Sequence, residues 1–337
     1  MFSRAFLGFL FLSTISCLNS AEVKSPEQIQ SELDQAEKDF EIAQKMFIPW
    51  YTGPLITGSA KNAPKGKINI QPYLTLKTAY GEYDNNRHYT STPSLFSVNP
   101  LLAFQVGITN WLDFSIQPQA TFKSFQGDNG GSFNDLNVVF GFQLYKETLY
   151  LPSVRLLYTE IFPTGNYSRL YSPLDAGGAG VFQSVVGLNL GKVLWWFPEH
   201  PMALRLATNV QFPTDSARVY GLNSYGGGAS TNGTVRVRPT FNIDFGYEYS
   251  ITQKWVFAID LVYTLSGRTT FTGMTGLDQS GKPYVLGGPS SDNFSMSPAI
   301  EYNVSDTGGF IGGVWFSVTG RNSSSYVAGL ISYTQLF

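Results

Sequence analysis

From Lys67 to the C-terminus the chain repeats one pattern: about ten residues of apolar–polar alternation, then a break. The clearest case is Thr234 to Tyr249. Val235, Val237, Phe241, Ile243, Phe245 and Tyr247 take one face, and Arg236, Arg238, Thr240, Asn242, Asp244 and Glu248 take the other. The next segment sets Trp255, Phe257, Ile259, Leu261, Tyr263 and Leu265 against Ala258, Asp260 and Thr264. Period two is the signature of a strand with two unlike faces. Further strands are predicted near Lys67–Thr78, Leu101–Ile108, Leu112–Lys123, Leu136–Tyr145, Ser153–Ile161, Val181–Gly191 and Ala203–Phe212. The last three fall near Asn293–Tyr302, Phe310–Val318 and Tyr326–Phe337, giving about twelve, an even number as single-chain membrane barrels require.

Breaks alternate in length. Long polar ones are expected at Tyr80–Asn99, Gln126–Asp135, Pro163–Gly180, Thr214–Gly233, Gly267–Asp292 and Gly320–Ser325, with tight turns between them. Trp111, Tyr145, Trp195, Trp196, Phe197, Tyr249 and Trp255 all fall at the short-turn end, as an interfacial aromatic girdle does. The expected fold is therefore an all-β, closed antiparallel transmembrane β-barrel of about twelve strands over residues 67–337, with an N-terminal α-helix. Pro72, Pro118, Pro239 and Pro298 interrupt these strands on the apolar parity, where bulges are expected.

Composition agrees with two faces that average out. Only 14% of residues are charged, 15% are aromatic, and mean hydropathy is −0.06. Lys and Arg number 22 against 24 Asp and Glu, so there is no basic excess for a nucleic-acid backbone. Residues 1–20 read as a secretory signal, with Arg4 before the apolar run Ala5–Leu12. Cys17, the single cysteine, closes that run: it is either lost with the signal or acylated as a mature first residue. The expected location is the bacterial outer membrane, with the lipid bilayer as a partner.

Residues 21–66 form a periplasmic helix and leader in this reading. Ser25-Pro26-Glu27-Gln28 is a capping box with proline at the first helical position. Ile29, Leu33, Ala36, Phe40, Ala43 and Phe47 then mark one apolar stripe, predicting a helix from Pro26 to about Met46. Such a stripe serves either a homo-oligomeric coiled coil through 26–46 or packing against the barrel.

The terminal Tyr333-Thr334-Gln335-Leu336-Phe337 resembles the signal by which outer-membrane assembly machinery recognises barrels, through Phe337. Pro64-Lys65-Gly66, Gly107-Ile108-Thr109-Asn110-Trp111-Leu112-Asp113-Phe114 and Asn134-Asp135-Leu136 resemble the transporter family named for the MetA pathway of phenol degradation. Pro49-Trp50-Tyr51-Thr52-Gly53-Pro54-Leu55 resembles a leader of some of its relatives. That resemblance implies an outer-membrane channel for small, aromatic or apolar organic solutes.

Inward-parity charges are the candidate lumen-lining groups: Arg155, Arg205, Arg236, Arg238, Asp244, Glu248, Asp260 and Glu301. They either line a polar path or brace a filled barrel. Catalysis is not expected. His88 and His200 belong to opposite ends of the barrel, no Gly-x-Ser-x-Gly elbow occurs, and no cofactor or metal is implied. The alternative to transport is a closed structural barrel that meets other surfaces through its Gly-, Ser- and Asn-rich loops.

Overall fold

The computed structural model describes residues 24–46, 53, 55–197 and 200–337. The signal segment, Cys17 and most of the leader motif at 49–55 lie outside them. Two units are present and are treated separately. The first contains α1, Pro26–Met46, capped as expected: Ser25 N donates to Gln28 Oε1 at 3.0 Å, and Gln28 N donates to Ser25 Oγ at 3.3 Å. Ile29 and Leu33 of its apolar stripe are exposed.

The second unit is the barrel. Its strands are β1 (Ile68–Tyr83), β2 (Tyr89–Gly107), β3 (Leu112–Gln117), β4 (Ala120–Phe125), β5 (Asp128–Phe133), β6 (Leu136–Tyr145), β7 (Ser153–Phe162), β8 (Gln183–Leu194) and β9 (Met202–Pro213). There follow β10 (Ala217–Tyr220), β11 (Asn232–Arg236), β12 (Thr240–Ser250), β13 (Trp255–Ser266), β14 (Thr270–Met274), β15 (Ser291–Asn303), β16 (Gly308–Arg321) and β17 (Ser323–Leu336). Fourteen of these make one antiparallel sheet, and β1 pairs with both β2 and β17, so the sheet closes. The pairs β3/β4 and β5/β6 are each one strand broken in the middle, which leaves twelve spanning strands. Closure gives the spanning strands a ladder on both sides, as a structure in lipid needs, and β5 alone among the fourteen is paired on one side only, with β4.

Burial is inverted relative to a soluble domain. Asp113, Glu248, Asp260 and Glu301 are fully buried, while Leu76, Ile243, Phe245, Ile300 and Val314 stand exposed on the outer wall. Trp111, Tyr145, Trp196, Phe197 and Trp255 are exposed at the short-turn end. Phe162, Phe182 and Phe212 are exposed at the other end. An apolar belt between two aromatic edges is the surface a bilayer covers.

The expected alternation of connections needs three corrections. Most of Tyr80–Asn99 continues β1 and β2 around a turn at 84–88. Within Gln126–Asp135, residues 128–133 are β5, joined to β4 by a tight turn with positive φ at Gln126 and Gly127. Asn322 alone joins β16 to β17. Polar strand ends beyond the membrane read as loops in sequence because their alternation lacks apolar residues. Three connections are long, at 163–182, 214–239 and 267–290.

Nor do those three hang free. Strands β10, β11 and β14 form a separate sheet beyond the ends of β9, β12 and β13. Its inner face, Ala217, Val219 and Val235, is fully buried with Val181 against Tyr167, Ala179, Tyr225 and Phe271. Tyr225 donates from its hydroxyl to Ala179 O at 2.6 Å, and burial raises its pKa. Thr234–Val237 therefore leave the barrel strand in which the alternation had placed them. Pro239 separates β11 from β12, since it has no N–H for the ladder. Pro118 likewise divides β3 from β4. Pro72 and Pro298 cause gaps in pairing without the expected bulges: Ile70↔Gln335 resumes at Tyr73↔Ser332, and Met296↔Phe316 at Ala299↔Gly313, in unchanged register.

The outer-wall assignment predicts that Phe245→Arg costs about 2–4 kcal/mol of stability. Phe245→Leu should cost much less. Unfolding titrations of both variants refolded in lipid give the comparison, and equal midpoints would refute the assignment.

Candidate functional site

Residues 55–64 run through the barrel as a strap, and the buried charges of the inner wall are what hold it. Asp260 on β13 accepts from Ile56 N at 3.2 Å, Thr57 N at 2.9 Å and Thr57 Oγ1 at 2.6 Å. Arg155 on β7 donates from Nε to Asn62 Oδ1 at 2.7 Å and from Nη1 to Ser59 O at 3.3 Å. Its Nη2 forks onto both oxygens of Asp113, at 2.7 and 2.9 Å, and Asp113 also accepts from Ala63 N at 3.0 Å. Amides complete the frame: Asn189 Nδ2 donates to Ser59 O, and Gln143 both donates to Ala60 O and accepts from Asn62 N. Matched oxygens and N–H groups of this kind offset the cost of holding charge inside a barrel, whereas Asp244 keeps its Oδ1 without a hydrogen-bond partner among the described residues.

Packing fixes the other end of the strap. Leu55 is buried among Ala258, Ala299, Ile311, Ala328 and Leu330. Small inward side chains on β13, β15 and β17 open the hollow that Leu55 fills. Gly141 makes room of a different kind: a Cβ there would overlap both Arg155 and Asp113. At Gly107 a Cβ would overlap the backbone of Ala63 and Pro64 as the strap leaves toward β1.

The eight candidate residues separate into three groups. Arg155 and Asp260 grip the strap. Arg205 on β9 pairs with Glu248 on β12, Nε to Oε2 at 2.8 Å, and stands against the backbone of Gly53. Asp244 and Glu301 are buried on the inner wall of β12 and β15. Arg236 and Arg238 are a correction. Beyond the break at Pro239 the first belongs to β11 and the second follows it, both exposed, far from any shared path with Asp244 and Asp260. Sequence reasoning missed Thr57, Ser59 and Asn62 as partners of these charges. The available signal was a run of small and polar residues just before the first strand, together with inward glycines at 107 and 141.

Two chambers flank the strap. The one toward the short turns, about 340 Å³, is bounded by Ser59–Pro64, Glu147, Lys192 and Arg205. The one toward the long loops, about 290 Å³, is lined by Val139, Leu157, Ile161 and Val185 with Gln117, Asn137, Thr159, Asn189, Asn209 and Gln211. No ionisable group lines the second chamber.

No family model and no curated protein matches the chain. Solved structures do. An outer membrane channel from Pseudomonas putida F1 superposes with a TM-score of 0.63 at 15% identity, over 83% of this chain and 98% of that one. The likeness shows that the fold is that of an outer-membrane β-barrel. The translocator domain of the autotransporter NalP from Neisseria meningitidis gives 0.45 at 11% identity, over 90% and 97%. The Pseudomonas putida toluene transporter TodX gives 0.33 at 14%, over 81% and 90%. At those two scores neither adds to the fold assignment.

Arg155→Ala leaves Asp113 buried without its cation and should destabilise the barrel by about 3–5 kcal/mol. Gly141→Val, which displaces the same pair by bulk, should lower stability in the same direction. Denaturant midpoints in lipid measure both, and unchanged values would mean the pair does not brace the interior.

Proposed function

We propose that the chain is an outer-membrane channel for small, uncharged organic solutes, with the strap as the constriction between an outer and an inner chamber. The observation that carries this reading is the wall of the outer chamber. Four aliphatic side chains face inward there, where a water-filled pore has polar ones. They alternate with amides and a hydroxyl that can orient a solute without requiring it to carry charge. The volume is about 290 Å³, and benzene enters an apolar protein cavity of about 150 Å³. The likeness to the outer membrane channel from Pseudomonas putida F1 supports this reading, as does the resemblance to the MetA-pathway transporters.

In this reading residues 1–20 direct export and residues 21–66 begin in the periplasm, with the strap returning into the barrel. Phe337 is the contact with the assembly machinery, and α1 is where copies associate. Arg155 and Asp260 act on the path indirectly, by fixing the strap, and Arg205 and Glu248 by bracing the inner wall in which Asp244 and Glu301 are also buried. The long-loop end faces outward. A tag inserted at Gly281, which lies in open space in the 267–290 connection, should be labelled by antibody on intact cells. One at Gln253 should be labelled only after permeabilisation, and surface labelling of both would refute the orientation.

A second reading keeps the barrel closed, working through its folded loops. It is favoured by the completeness of the strap's hydrogen bonds. Liposome influx separates the two. Wild-type protein should admit a neutral one-ring alcohol, and Leu157→Lys, which puts a cation into the outer chamber, should slow that influx several-fold. No influx above protein-free liposomes would establish the closed barrel.

A further inference from the structure

The loop sheet has a second face that the transport reading does not use. Opposite the buried Ala217, Val219 and Val235 lie Arg218 and Arg236, and β10, β11 and β14 contain no acidic residue. Arg169 joins them from the neighbouring connection. It is held firmly: its N–H donates to Tyr220 O at 2.9 Å, Ser168 Oγ donates to the same carbonyl at 3.1 Å, and Tyr220 N donates to Ser168 Oγ at 2.8 Å. Its backbone is in the left-handed region, φ 54°. The guanidiniums of Arg169 and Arg218 both lie over the ring of Tyr220, at 5.1 and 5.4 Å. Arg238 and Arg268 extend the group toward the membrane.

All five arginines are exposed, and none forms an ion pair among the described residues. Elsewhere at this end arginine finds a carboxylate, since Arg87 and Arg321 both pair with Asp292. The acids of 214–239 and 267–290 are Asp215 and Asp278, and each accepts hydrogen bonds within its own turn. Position selects the partner. Arg238 and Arg268 lie just outside the ends of β12 and β13, three residues from Phe241 and Leu265 of the outer wall, at most about 10 Å of extended chain. That is the depth of lipid headgroups. Guanidinium planes suit phosphate oxygens, which they engage by paired N–H donors.

We infer that this arginine face binds the phosphate groups of phosphorylated glycolipid in the outer leaflet around the barrel. The inference rests on the outer-membrane placement proposed above and is independent of solute passage. The probe is lipid A, in its diphosphorylated and dephosphorylated forms, incubated with the full-length protein in neutral detergent micelles and quantified after affinity purification. Wild type should retain the diphosphorylated form, less of it as salt rises, and little of the dephosphorylated form. Each of Arg169→Gln, Arg218→Gln and Arg236→Gln should lower retention about fivefold, the ratio for one basic side chain near an anionic membrane surface. Lys146→Gln/Lys254→Gln, which removes exposed cations at the short-turn end, should leave retention unchanged. Arg218→Gln/Arg236→Gln spares the Arg169–Tyr220 contacts and serves as the folded control, verified by gel mobility of the unheated barrel. Equal retention by wild type and this double variant would overturn the inference. So would displacement of lipid A by millimolar inorganic phosphate, which would mark a site for free anions. Influx of the neutral alcohol on the same preparations reports on transport separately, so either reading can fail alone.

Discussion

Everything in this molecule depends on the pairing of β1 with β17. A sheet edge in hydrocarbon would leave a row of N–H and C=O groups without partners, each costing several kcal/mol. The ladder from Asn69↔Leu336 to Tyr83↔Ser323 removes both edges at once. Once closed, the wall has an outside that must be apolar and an inside that need not be. That freedom lets fully buried carboxylates such as Glu248 and Asp260 persist on the inner wall.

The interior then has to be filled or wetted, and this chain does both. The strap occupies the middle and turns potentially costly charges into anchors. Asp113 and Arg155 satisfy each other and also bond the backbone and side chain of the strap. Above it, the wall changes character to aliphatic and amide groups. The same strands thus carry an electrostatic frame at one level and an uncharged chamber at another.

Much of the barrel was legible in the sequence because lipid enforces period two over long stretches. Ser153–Phe162 and Trp255–Ser266 fall within a residue or so of their expected limits. What alternation could not reveal were departures from one continuous strand. Arg236 and Arg238 keep the parity of β12, yet Pro239 ends the ladder and the chain turns Val235 into a separate small core. The polar hairpins at 84–88 and 126–127 were hidden for the opposite reason, since strands beyond the bilayer have no apolar face to mark them. The strap was invisible to periodicity altogether. It has no regular structure of its own, and its hydrogen-bond partners are scattered from Asp113 to Asp260 in the sequence.

Because the strap leads directly into β1, it is a ligand tethered to its own receptor. Joining the two by a short connection replaces bimolecular association with an effective concentration in the millimolar range. Individual contacts can therefore be weak while occupancy stays high. The tether also ties the strap to the seam. It leads into β1, and Leu55 packs on Ala328 and Leu330 of β17, so the docked strap joins both of the strands that close the barrel.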